Sequence, residues 1–240
     1  MPEFSLNPNN LSKIFWPQVL EYSSIKIQTN KERLIKYLDL QENLRKNMEI
    51  QTGSIGASAC LCLFSLSIFF NPKTILEIGT YIGKSTISLA IGCEANKNEC
   101  LIYTCDKNNK KINFPDFENI KIIQHPKKTS SEMLEMNQEK FNKNNIDIFF
   151  IDGRLTDYDI NFSNYDKTIF VFDDFEGKEK GVSNFDALCN KGFLKTHFLI
   201  EPISNEVLEK YGLPWNKSPR SLIAVFIPLK LIKFTLQNFV

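Results

Sequence analysis

The sequence predicts an α/β fold: a mostly parallel seven-stranded sheet with helices on both faces, an antiparallel last strand, and a helical extension at the N-terminus. Three observations predict it. Seven short apolar runs recur along the chain, amphipathic stretches with helical spacing lie between several of them, and the runs close on glycines or carboxylates.

The elements follow in order. From Leu11 to Glu49, Ile14, Phe15, Val19 and Leu20 precede Leu34, Ile35, Leu38 and Leu40 at spacings of three and four, which predicts two or three helices. Residues 1–50 are therefore read as a helical extension, whether a cover for one sheet edge, a lid or an oligomer contact. Residues 51–240 form the main domain. Its first segment, Ser54 to Phe70, runs 17 residues without a charge, the lower edge of a membrane span. It also carries four serines and stops at Asn71-Pro72, so a core helix is expected and no membrane partner.

The strands are "TILEIG" from Thr74, "CLIYTCD" from Cys100, "IKIIQ" from Ile120, "IDIFFID" from Ile146, "TIFVFDD" from Thr168, "HFLIEPI" from His197 and "SLIAVFIP" from Ser221. Helical spacing marks Lys84 to Ala95, Ser130 to Asn142 and Lys178 to Asn190. The last two strands are joined by a segment containing Val207 to Pro219 and are expected to pair antiparallel at one edge.

The 29 basic and 28 acidic side chains nearly cancel, which excludes the strong basic field of a nucleic-acid binder. The lysines are spread in short runs, read as solvated loops. Six cysteines lack the spacing of a zinc knuckle or redox motif and read as reduced thiols. The opening "MPEFSLNPNN" lacks the charged-then-apolar build of a secretion signal, so a cytoplasmic protein is expected.

In an open parallel sheet, ligands bind beyond the carboxyl ends of the strands. There the sequence places Glu77, Gly79, Thr80, Tyr81 and Gly83 after the first strand, Asp106 at the second, Asp152-Gly153 at the fourth and Asp173-Asp174 at the fifth. Gly79 and Gly83 suit a sharp turn and a close approach to a ligand, and Ser85 lies in the first turn of the next helix, where free amides favour an anion. Asp106 follows Gly79 by 27 positions, where an acidic side chain accepts from both ribose hydroxyls. Simple turn chemistry is the alternative for the glycines alone; with Asp106 in register, an adenosine ligand is expected.

"LEIGTYIGKS" resembles the first motif of class I S-adenosylmethionine-dependent methyltransferases, most of all the catechol-type and related small-molecule O-methyltransferases, whose sheet is Rossmann-like. The resemblance extends through "QTGSIGASACLCL", "YTCD", "IDIFFIDG" and "FVFDD", from about Gln51 to Asp186. It implies that Glu77, Gly79, Thr80, Tyr81, Gly83 and Ser85 surround the methionine part of S-adenosylmethionine. Asp106 would hold the ribose, Ser130 or Ser131 the adenine side, and Asp152 the cofactor or a metal.

Asp152, Asp173 and Asp174 end neighbouring strands, and three converging carboxylates call for a cation with oxygen ligands, such as Mg²⁺. The resemblance implies the same use, a metal that lowers the pKa of an acceptor hydroxyl. The alternative is that Asp152 orients the cofactor while Asp173 and Asp174 cap a helix or pair with Lys178 and Lys180. The sequence departs from the family where its bases stand: positions 154 and 155 are Arg154 and Leu155. Arg154 either binds an anionic acceptor or pairs with Asp157 or Asp159. His125 and His197 are expected to be structural.

Arg154 to Asn164 and the segment with Tyr211 and Trp215 either wall the acceptor pocket or pack the end of the sheet. The sequence thus points to a metal-assisted O-methyltransferase of a small hydroxylated molecule. A non-catalytic module binding S-adenosylmethionine or S-adenosylhomocysteine is the alternative, and an aminopropyl transferase is disfavoured by its unmatched acidic signature.

Overall fold

Strands rich in branched and aromatic residues are buried on both faces when helices cover the sheet twice, and this chain follows that rule. The computed structural model describes residues 8–46, 54–108, 111–143, 145–162, 165–174, 180–192, 197–200 and 223–231. Its strands are β1 (Thr74–Ile78), β2 (Cys100–Asp106), β3 (Ile120–Pro126), β4 (Ile148–Ile151), β5 (Ile169–Phe172), β6 (His197–Ile200) and β7 (Ala224–Pro228). Six fall within the runs that the sequence marks, and β3 extends two residues past its run, to Pro126.

They form one sheet in the order β3-β2-β1-β4-β5-β7-β6. The first five run parallel, and β7 pairs antiparallel with both β5 and β6. The antiparallel pair at the edge is as expected, but β7 inserts inside β6 and leaves β6 outermost. Alternate strand residues feed two apolar layers. Ile75, Ile148, Phe150 and Val171 face one, and Leu76, Phe149, Ile151 and Phe170 face the other.

The first layer is covered by α1 (Pro8–Arg45), α2 (Ala57–Phe70) and α3 (Lys84–Glu94). α1 is one 38-residue helix where two or three were expected. Pro17 costs it one backbone bond without ending it. Between the two apolar groups the polar side chains bond within the helix: Thr29 Oγ1 donates to Ile25 O and Asn30 Nδ2 to Lys26 O. Trp16, Val19, Leu20, Ile27 and Leu34 are buried along one face and join the main core.

α2 is the uncharged helix. It is buried against α1 and α3 and ends on Asn71 in the left-handed conformation. A Cβ at Gly92 of α3 would stand 2.5 Å from Phe64 O, so this glycine lets the two helices touch. Truncating Phe64, fully buried at that contact, is expected to cost about 3–5 kcal/mol. Among the described residues no helix is long and apolar enough to cross a membrane.

The second layer is covered by α4 (Ser130–Met136), α5 (Gln138–Lys143), α6 (Asp157–Asn161) and α7 (Gly181–Asn190). The single helix expected over Ser130 to Asn142 breaks at Asn137. Its side-chain amide donates to Met133 O and bonds His125 Nε2, exchanging helical continuity for a tie to β3.

Candidate active site

From β1 the chain continues to β2 on one side, and from β4 to β5 on the other, so the crevice opens between β1 and β4. The strands stay bonded to its floor: Asp152 N donates to Ile78 O at 2.8 Å. Gly79 follows at φ +98°, and a Cβ there would lie 2.7 Å from Asp152 O. The close approach that Gly79 permits is thus to the β4 exit. Gly83, at φ +80°, makes room for the Phe114 ring, whose Cε1 would be 2.4 Å from an added Cβ. Both glycines take the sharp turn that the sequence predicts, and each also makes room for another part of the protein.

Between them the turn is held from β2. Gly79 N and Thr80 N both reach Cys105 O, and Gly83 N closes on Thr80 O at 2.7 Å. Tyr81 sits at φ +42°, and its amide donates to Asp106 Oδ2 at 2.7 Å, while Asn108 N donates to Asp106 Oδ1 at 2.8 Å. Asp106 therefore fixes the turn. Each of its oxygens keeps acceptor capacity for a further donor.

Below the turn runs a buried hydroxyl chain. Thr80 Oγ1 lies 2.5 Å from Thr104 Oγ1, and both Thr104 and Thr86 donate to Glu77 Oε2 at 2.5 Å. Glu77 is fully buried, and burial raises its pKa against the opposing Ser85, Thr104 and Thr86 hydroxyls. Thr80 and Glu77 thus shape the turn from beneath. Ser85 lines a small, partly open space with Gly79, Tyr81, Asp152, Ser54 and Ile55, the last two forming a strap beside it. That space is about 10 Å³, the size of one water. Lys84 holds the strap through Ile55 O and reaches Glu42 near the end of α1.

Across the crevice, Asp152, Asp173 and Asp174 converge as the sequence predicts. One oxygen from each lies within 4.8 Å of the others. Burial raises the pKa of Asp152 well above the carboxylate range, and the neighbouring Asp173 adds to the rise. Lys180 opposes it, with Nζ 3.2 Å from both Asp152 Oδ1 and Asp174 Oδ2. Burial disfavours the Lys180 ammonium, but the two carboxylates outweigh this and hold its pKa above the usual value.

Arg154 is exposed on the turn after Asp152. Among the described residues it pairs with neither Asp157 nor Asp159. The turn is clasped by Asn184 of α7, which donates through Nδ2 to Gly153 O at 2.7 Å and accepts from Leu155 N at 2.9 Å. Nothing in the sequence marked Asn184; only the packing of α7 brings it there.

Ser130 is engaged elsewhere. Its hydroxyl donates to Asp159 Oδ2 at 2.5 Å, and Ser131 Oγ donates to Asp159 Oδ1 at 3.1 Å. Asp159 is wholly buried in α6, an element unforeseen within the expected Arg154–Asn164 loop, and it caps that helix through Thr156. His125 bonds Asn137 and His197 bonds Thr168 O, so both histidines serve the scaffold. Lys178, Tyr211 and Trp215 lie outside the described residues.

Residues 76–175, which span the turn, Asp106 and all three carboxylates, match the family model described as "Methyltransferase domain". Over those residues the chain is similar to a methyltransferase domain. No curated protein sequence matches it. Its fold is that of the O-methyltransferase from Bacillus cereus, solved with S-adenosylhomocysteine: TM-score 0.51 at 12% identity, over 87% of this chain and 99% of that one. The Streptomyces achromogenes O-methyltransferase TomG, solved with S-adenosylmethionine, is similar at 13% identity and TM-score 0.47, over 87% and 97% of the two chains.

Proposed function

We propose that the protein is an S-adenosylmethionine-dependent O-methyltransferase of a small hydroxylated acceptor, with a divalent cation at Asp152, Asp173 and Asp174. The observation that carries the cofactor reading is the Asp106 carboxylate, bonded to Tyr81 N of the glycine turn. It joins the turn that would hold the methionine part to the group that would accept the ribose hydroxyls. The Asp106 carboxylate, with acceptor capacity left on both oxygens, fits the hydroxyls of a nucleoside.

The metal part is supported by three carboxylate oxygens within 4.8 Å, a donor set suited to a hard cation. When bound, S-adenosylmethionine supplies an activated methyl group and the cation supplies Lewis acidity that eases ionisation of an acceptor hydroxyl. The chain's own residues do the remaining work. Asp173, nearly wholly buried, would supply one of the three ligand oxygens, while Arg154 presents a permanent charge that suits an acceptor carboxylate or phosphate.

One observation favours the second reading, a non-catalytic cofactor-binding module: Lys180 already partly balances the carboxylates. The test is a screen of hydroxylated acceptors by mass spectrometry, with S-adenosylmethionine and Mg²⁺. A methylated product that disappears in Asp173→Asn supports the proposal. Cofactor binding with no product from any acceptor class favours the module.

A further inference from the structure

The acidic site holds a cation of its own. Lys180 stands immediately before α7 and places its ammonium 3.2 Å from one oxygen of Asp152 and one of Asp174. Those are two of the three carboxylates whose oxygens meet within 4.8 Å. A divalent ion takes oxygen ligands at about 2.0–2.6 Å. An ion drawn to the same oxygens would leave the ammonium against a like charge at close range, with its own partners taken. Where the ion takes the oxygens that Lys180 holds, the two cations compete for the Asp152–Asp174 pair.

We infer that Lys180 is a resident cation that holds Asp152 and Asp174 until a divalent ion displaces it, coupling metal occupancy to the first turn of α7. The inference rests on the metal reading above and adds the regulation of that site. The coupling has a defined path. Lys180 O accepts from Asn184 N at 3.0 Å and from Ser183 Oγ at 2.9 Å, so Lys180 is part of the structure that starts α7. Asn184 grips both sides of the Gly153–Leu155 turn, which carries Arg154. Releasing the ammonium therefore loosens a tie between the start of α7 and the β4 exit, beside the turn that presents Arg154 to an acceptor.

Mn²⁺ titrations of the full chain, read by electron paramagnetic resonance, test this without any turnover. Lys180→Met removes the charge and keeps the stem, Lys180→Arg keeps the charge, and Asp173→Asn removes a metal ligand. Lys180→Met is expected to bind Mn²⁺ about five- to tenfold more tightly, the scale of two partly exposed ion pairs. Lys180→Arg should stay near wild type and Asp173→Asn should lose most binding. Unchanged or weaker binding by Lys180→Met, with Asp173→Asn still defective, overturns the inference and leaves the metal reading standing. Absence of Mn²⁺ binding in every variant and in wild type overturns both.

A second measurement needs no substitution. Labelling of wild-type Lys180 by an amine-reactive ester, quantified by peptide mass spectrometry, should accelerate several-fold when Mg²⁺ is added. A rate unchanged by saturating Mg²⁺ contradicts displacement.

Discussion

Gly79 and Asp152 meet so closely that a side chain on the first would lie 2.7 Å from the carbonyl oxygen of the second. The contact ties the glycine turn after β1 to the carboxylate exit of β4, the two halves of the crevice. Gly79→Ala meets both the positive φ and this backbone clash. It is expected to destabilise the fold by about 2–4 kcal/mol. Denaturant melts measure the loss, and calorimetry should show weakened binding of S-adenosylhomocysteine in the same variant.

Glu77 gives the domain a pH dependence of predictable sign. Burial raises its folded pKa above the unfolded value, so the folded state holds its proton more tightly. Its contribution is therefore fully present below the ordinary carboxylate pKa, about 4.3, and is lost as pH rises from there through the folded value. Glu77→Gln removes that loss. Melts from about pH 4.5 upward should show wild type losing stability relative to the Gln variant; parallel profiles would contradict the assignment.

Asp159 docks α6 against α4 by accepting from Ser130, Ser131 and Thr156 N. Asp159→Ala leaves these donors unsatisfied, and a loss of about 2–3 kcal/mol is expected. Thermal melts check it. An unchanged midpoint would show that the buried network contributes nothing.

Arg154→Ala is expected to leave stability and S-adenosylhomocysteine binding unchanged, because the side chain is exposed and holds no other group among the described residues. For an anionic acceptor its KM should rise about tenfold or more, as a charge-assisted contact is lost, with a smaller change for a neutral acceptor. Steady-state kinetics on the two acceptor types separates these outcomes.

Much of this architecture is legible in the sequence because strands buried on both faces are nearly continuous apolar runs, and "ILEI", "IFFI" and "IFVF" can be little else. Strand ends were legible for the same reason, and with them Asp106, Asp152, Asp173 and Asp174. What local pattern does not encode is who sits beside whom. β7 lies inside β6 because of sheet order, which no period in the sequence records. α1 runs unbroken through Thr29 and Asn30, whose side chains bond back to their own helix. The Ser130 hydroxyl turns to Asp159, a partner 29 residues away on an unforeseen helix. Lys180 was visible as a neighbour of the carboxylates, but the bridge it forms between two of them depends on where α7 begins.

The central claim is that the turn held by Asp106 is a cofactor site. Calorimetric titration of the full chain with S-adenosylhomocysteine, beside Asp106→Ala, tests it most directly. Saturable binding to wild type, weakened at least about tenfold in the variant, is the predicted result, the scale of lost hydrogen bonds to a charged group. No binding to wild type, or equal binding to both, would contradict it.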